Sequence, residues 1–307
     1  MTRVSSFGHN QSMVSSLLQN QARLFDVQRQ INTGKKADEF RGYTREAETL
    51  LSARTLKSRT DGYMSVAKEI RRKLDTNELQ MESVRSAGDD LKQTIIDALG
   101  QNQAISFSES LQQAVASALS ALNTQIAGNY IFAGSRTDTK PVAAQSLADL
   151  VAAPSVASLF QNDTEKLSGR VGDNVEIEYG LIASDIATDL LTSLKALADY
   201  DAGPFGPLDG PLTTAQRSFL QTEMANLTTA IDTVQSYISQ NALRQNRAED
   251  VVETLDASNN FLEVFISDIE DVNLTEAATR LNGDQLALQA SYNIMGQLSK
   301  LTLLNYL

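Results

Sequence analysis

His9 is the only histidine in this 307-residue chain, which contains no cysteine. An acid–base pair, a thiolate nucleophile or a Cys/His zinc site therefore has almost nothing to be built from. His9 stands in a polar opening, MTRVSSFGHNQS, where a structural or neutral role suits it better than proton transfer. No His/Asp/Glu cluster has metal-ligand spacing. Residues 128–135 (GNYIFAGS) have the outline of a phosphate loop, but the glycine spacing is wrong and the lysine is missing, so they read as turn and strand. The carboxylates of 248–276 fall along a helical pattern and do not converge on a cleft. No catalytic, cofactor-binding or metal-binding residue emerges, no cofactor is implied, and no enzyme is expected.

What the chain repeats instead are packing residues. Leu17, Leu24 and Ile31 recur every seven positions, with Val14, Gln21 and Gln28 on the adjoining seam. Leu274, Leu281, Leu288 and Met295 do the same near the other end, with Ala278, Gln285 and Tyr292 beside them. Such a 3-4 alternation marks a helix that packs along a neighbouring helix. All of these except Ala278 form the candidate assembly interface. A lone amphipathic helix of about 30 residues has nowhere to bury its stripe, so the two ends are expected to order fully only on assembly. The glutamines on the seam favour register over maximal affinity.

The elements between the ends follow from the same periodicity. Thr33-Gly34-Lys35-Lys36 reads as a helix stop. Periodicity resumes near Thr44, passes a weak point at Asp61-Gly62, and continues through Ile70, Leu74, Asn77, Met81, Val84, Gly88, Leu91, Ile95 and Ala98. Ser106 and Glu109 have capping-box spacing ahead of a third helix carrying Leu111, Val115, Ala118, Leu122 and Ile126 and closing at Gly128. Residues 129–133 form a short β-type run, and 175–179 alternate as a half-exposed strand does. Residues 142–174 form a small mixed insertion, 186–200 a helix, and the Gly/Pro-rich 201–211 a loop. Thr213 and Gln216 form a second capping box. It opens a seam from Leu227 to Ile269 that includes Asn241, Gln245 and Asn259 as register-setting or water-exposed positions. Asn273 offers an N-cap to the last helix, with Glu276 three residues on. A helix over 214–270 is about 85 Å long at about 1.5 Å per residue, a length found in coiled coils and elongated bundles.

The expected fold class is therefore mainly α: an elongated antiparallel helical rod with its terminal helices paired at one end and a small mixed α/β tip. The expected division is a terminal coiled-coil assembly domain (1–40 plus 272–307), a helical rod domain (41–140 plus 213–271) and a tip insertion (141–212).

Composition agrees with helix over sheet: 6% aromatic residues, no tryptophan and five prolines. A net charge of −12 argues against nucleic acid as a partner. That charge is unevenly placed. Residues 1–45 hold seven basic and three acidic side chains, a balance of +4, whereas 248–276 hold nine acids and no Lys or Arg, a balance of −9. The acidic run reads as a solvated helix face or as charge complementarity between copies. The opening residues lack the apolar core of a secretory signal and no stretch reaches the length of a membrane span, so no membrane partner is expected.

The order of parts, with specific residues, resembles the bacterial flagellin family. Gln30 to Lys36 (QINTGKK) is similar to the family's turn after the first helix, and residues 128–141 (GNYIFAGSRTDTKP) to its signature leading out of the third helix. Residues 268–272 (DIEDV) with 276–281 (EAATRL) match its C-terminal motif. Residues 287–292 (ALQASY) and the ending 301–307 (LTLLNYL) match as well. The last two features and the Arg-Thr-Asp-Thr segment lean toward subunits at the junction of hook and filament rather than of the filament. Residues 37–43 (ADEFRGY) depart from the polar loop usual there.

The resemblance implies a non-enzymatic structural subunit exported through the flagellar type III apparatus without a cleaved signal, and hence extracellular. It implies self-association into a ring or tube, contacts with other axial proteins (a hook-side junction protein and flagellin), and an export chaperone. A filament subunit is the alternative within the family; a cytoplasmic coiled-coil adaptor is the alternative from another class.

Overall fold

The computed structural model describes residues 2–43 and 45–304, and the side chains of residues 11–43 and 45–297. The His9 side chain, Thr44 and the side chains of the closing 301–307 motif lie outside the described residues. Seven α-helices lie among the described residues: α1 (Thr2–Thr33), α2 (Ala47–Gln101), α3 (Phe107–Leu122), α4 (Leu147–Ala152), α5 (Ala183–Asp201), α6 (Thr214–Glu270) and α7 (Leu274–Leu304). The strands are short and pair two by two: β1 (Gln103–Ala104) with β6 (Gly210–Pro211), β2 (Gln125–Ile126) with β3 (Asn129–Tyr130), and β4 (Ser168–Gly172) with β5 (Val175–Glu178), all antiparallel. The fold is mainly α, built on long antiparallel helix pairs. No described helix is long and apolar enough to cross a membrane. Chain contacts divide into two units, residues 60–257 and residues 1–59 with 258–307.

In the 60–257 unit, α2 buries the face its 3-4 spacing predicts: Ile70, Leu74, Asn77, Met81, Val84, Leu91, Ile95 and Ala98 are all buried. α6 meets it antiparallel with Leu227, Ile231, Val234, Ile238 and Asn241. Asn241 Nδ2 donates to the Leu74 carbonyl at 2.9 Å, and Gln245 Nε2 to Glu78 Oε2 at 2.7 Å. At the other end of the pair, Arg217 donates to the Leu99 carbonyl at 3.0 Å, answering one of the last acceptors of α2. α3 and α5 complete one core with Phe107, Leu111, Leu122, Leu190 and Leu194. The β4–β5 hairpin packs Val171 and Ile177 on Ile70, Leu74 and Ala248 as a second core.

Capping decides several boundaries. Thr213 and Gln216 make the predicted reciprocal box: Thr213 N–H donates to Gln216 Oε1 at 2.9 Å and Gln216 N–H to Thr213 Oγ1 at 3.3 Å. Ser106 does not make its box, because it sits at φ 50°, ψ 33° and its side chain accepts no capping bond. Asp209 caps α3 from a distance instead, accepting from the Phe107 N–H at 3.4 Å.

The third helix also stops earlier than its periodicity suggested, at Leu122 rather than Gly128. Ala127 (φ 51°) and Gly128 (φ 85°) form a two-residue turn that pairs Ile126 with Asn129, so Ile126 lies on a strand. The β-type run at 129–133 is a strand only over Asn129–Tyr130, Ala133 making a single bridge to Ile182. Asp61 and Gly62 do not interrupt α2, which runs unbroken through them.

In the other unit, α1 and α7 run antiparallel: Asn20 faces Ser291 and Gln30 faces Arg280. Neither hydrophobic core cluster contains a described residue of α1 or α7.

Candidate assembly interface

Two turns hold the terminal helices together. Gly34, at φ 73°, ends α1 with its N–H on the Gln30 carbonyl at 2.9 Å. The next residues dock on the end of α6. Lys36 N–H donates to the Glu270 carbonyl at 2.7 Å, and Lys36 Nζ to the carbonyls of Asp268 (2.8 Å) and Ile269 (2.9 Å). A cation thus answers the orphan acceptors at the negative end of the helix dipole. Val272 N–H returns a bond to the Gly34 carbonyl at 2.9 Å. The Glu270 carboxylate, only 4% exposed, meets Lys35 Nζ at 2.9 Å and also contacts Arg54. Asn273 then caps α7, its Oδ1 accepting from the N–H groups of Thr275 (3.1 Å) and Glu276 (3.2 Å).

Beyond the turns the helices touch through a polar seam. Asn20 Nδ2 donates to Ser291 Oγ at 3.0 Å, and Gln21 Nε2 to the Tyr292 hydroxyl at 2.7 Å. Of the candidate residues on α1, Leu17, Gln21, Leu24, Gln28 and Ile31 are half-buried and Val14 is exposed. On α7, Leu281, Leu288 and Met295 are half-buried, while Leu274, Gln285 and Tyr292 are exposed. None of the twelve is fully buried within the single chain.

Among the described residues, those buried on these helices are Asn20, Val27, Gln30 and Ala277, and periodicity did not single them out. Leu17 and Leu24 have companions at either +3 or +4; the intrachain contact uses +3, Asn20 and Val27, and leaves the +4 positions Gln21 and Gln28 on its margin. A second apolar line was missed as well: Leu18 and Phe25, seven residues apart on α1, are 58% and 67% exposed, and Leu286 on α7 is 68% exposed. Each helix of the pair keeps much of its circumference in water, and these apolar residues lie on that outer side. This arrangement leaves apolar surface on the terminal helices in water. Among the described residues, no group of three or more His, Cys, Asp or Glu could hold a metal ion.

Of the two terminal helices, α7 falls within a sequence relationship and α1 does not. The model of the bacterial flagellin C-terminal helical region matches residues 224–307, most of α6 and all of α7. That stretch of the chain is similar to the helical C-terminal region of bacterial flagellins.

Solved structures share its fold, among them two of flagellar proteins. A flagellar hook-associated protein from Vibrio parahaemolyticus superposes with a TM-score of 0.58 at 15% identity, covering 73% of this chain and 97% of that chain. FlgL of Bacillus cereus gives 0.54 at 14% identity, covering 71% and 99%. None of the curated proteins matches the sequence.

Proposed function

We propose that this chain is a non-enzymatic structural subunit of the bacterial flagellum that joins hook to filament, the role of hook-associated protein 3. The observation that carries the reading is the terminal pair: α1 and α7 present half-buried seams and exposed Leu18, Phe25 and Leu286 without a core of their own. Polymerisation completes that burial. The flagellin C-terminal match and the fold shared with flagellar hook-associated proteins support the setting. Val14, Leu17, Gln21, Leu24, Gln28 and Ile31, with Leu274, Leu281, Gln285, Leu288, Tyr292 and Met295, form the interface between copies in a ring or tube. Segments 1–40 and 272–307 act as the assembly domain, 41–140 and 213–271 as its helical support, and 141–212 as an outward insertion. The partners are further copies, a hook-side junction protein and flagellin. The chain reaches the cell exterior by type III export with a chaperone and no cleaved signal.

A filament subunit is the second reading, favoured by the flagellin C-terminal match itself. Copy number separates the two, a junction protein being scarce. The experiment on the interface is Leu288→Asp, which places a charge on a half-buried seam position of α7. Export and the fold of residues 60–257 are retained, and incorporation and motility are lost. Normal incorporation of that variant contradicts the interface.

A further inference from the structure

In the 60–257 unit a cavity of about 610 Å³ opens between α2, the β2–β3 hairpin and Tyr179. That volume lies within the roughly 300–1,000 Å³ typical of small-molecule sites. Its walls are largely apolar and include Ile126, Ile131, Leu167 and the two tyrosines Tyr130 and Tyr179. Ile126 keeps 38% of its surface exposed there. Two cations of α2, Arg72 and Lys73, line the same space. Lys73 is fixed in place: its Nζ lies 3.0 Å from Glu69 and 4.7 Å from the centre of the Tyr179 ring. Burial pulls its titration down, but the bond to Glu69 and the contacts with Tyr179 outweigh this and hold it above the ordinary lysine value. Glu69 offsets one of the two charges, so the cavity carries a net positive charge in a chain whose total is −12.

The hairpin over the cavity is held in an unfavourable form. Ala127, a non-glycine residue, takes φ 51° at the first position of its turn, a place that favours Asn or Gly. Strain of this kind persists where the surroundings over-determine it and clusters at ligand clamps. It sets Ile126 and Tyr130 on the cavity rim.

We propose that this cavity binds a small amphipathic anion: an aromatic or branched apolar body with one carboxylate. The apolar body lies against Ile126, Leu167 and the tyrosines, and the carboxylate is paired by Arg72 in the bidentate geometry a guanidinium provides. Lys73, already held by Glu69, adds field rather than a second contact. The site involves neither terminal helix and is separate from assembly.

The test is calorimetric titration of the full chain with indole-3-acetate and, as a neutral isostere, indole-3-acetamide. A charge-assisted bond predicts that the acid binds at one site per chain about ten-fold or more tighter than the amide. Arg72→Gln, at an exposed position, abolishes that preference without moving the unfolding midpoint. Ile126→Glu, also exposed, weakens the acid more than the amide by placing like charge at the rim. Equal binding of acid and amide, or a preference that survives Arg72→Gln, overturns the proposal, as does the absence of saturable binding. If the wild-type monomer ignores both probes and Arg72→Gln blocks polymerisation, the cavity is a socket for a neighbouring copy and the proposal is likewise overturned.

Discussion

Glu270 and Lys35 form an ion pair, 2.9 Å between Oε2 and Nζ, at the place where the end of α6 meets the turn after α1. The carboxylate is 4% exposed and the ammonium 43%, so the charge that suffers from loss of its partner is the glutamate. Arg54, 42% exposed, is its second cation.

Removing both cations with Lys35→Met and Arg54→Met leaves a buried carboxylate unpaired, which costs about 3 kcal/mol. Adding Glu270→Gln to that background removes the stranded charge and recovers much of the loss. Urea unfolding followed by hydrogen exchange in residues 20–34 reads both steps. A triple variant no more stable than the double one contradicts the assignment.

The two ends of the chain should be far more labile than its long helices. In the free monomer, amides of residues 14–31 exchange through local opening at low cost, because α1 belongs to neither core cluster. Amides near Leu74, Met81 and Leu91, all fully buried, exchange only on global unfolding. Polymerisation should raise protection across 14–31 by orders of magnitude.

Two glycines of α2 respond in opposite directions to alanine. A methyl at Gly62 meets nothing within 4 Å, so Gly62→Ala gains helix propensity and stabilises by about 0.8 kcal/mol. A methyl at Gly88 meets Ile231 Cγ1 at 3.0 Å and Leu190 Cδ1 at 3.2 Å. The overpacking, about 1–3 kcal/mol, exceeds the same propensity gain, and Gly88→Ala destabilises by about 1 kcal/mol net. Denaturant midpoints of the two variants check the sign of each.

Glu223 is buried on α6 with one partner, Asn226 Nδ2 at 3.1 Å, while its Oε2 has none. Asp189 lines the same groove. Burial raises the Glu223 carboxyl above its ordinary value of 4.5. The native state then holds this proton more tightly than the unfolded chain, so the glutamate's contribution to stability falls as pH rises from about 4.5 through the raised value. Glu223→Gln removes that loss. Its advantage over the parent should be near zero at the acid end and reach about 1 kcal/mol at neutral pH. An advantage independent of pH contradicts the reading.

The long-helix architecture was legible because a seam buried over many turns constrains every fourth or third residue: Ile70 to Ala98 on α2 and Leu227 to Asn241 on α6 are buried as their spacing demands, whereas Gln245, Val252, Leu255, Ile266 and Ile269 farther along the same expected seam are only half-buried. The Thr213–Gln216 box was equally readable, since both partners are local. The Ser106 box was not, because the backbone angle that disables it is set by the chain around it, and the cap comes from Asp209, about a hundred residues away. Ile126 fits a helical stripe as well as a strand; only the turn at Ala127 and Gly128 decides between them. On the terminal helices, Leu17 and Leu24 admit companions at two spacings. Choosing Asn20 and Val27 requires the shape of the facing helix, with Ser291 opposite Asn20.

Immunogold labelling of flagella isolated from the source bacterium, using antibody raised against this chain, tests the central claim most directly. The account predicts a compact band of label between hook and filament. Label along the whole filament contradicts the junction role, and flagella free of label with the protein retained inside the cell contradict the structural role altogether.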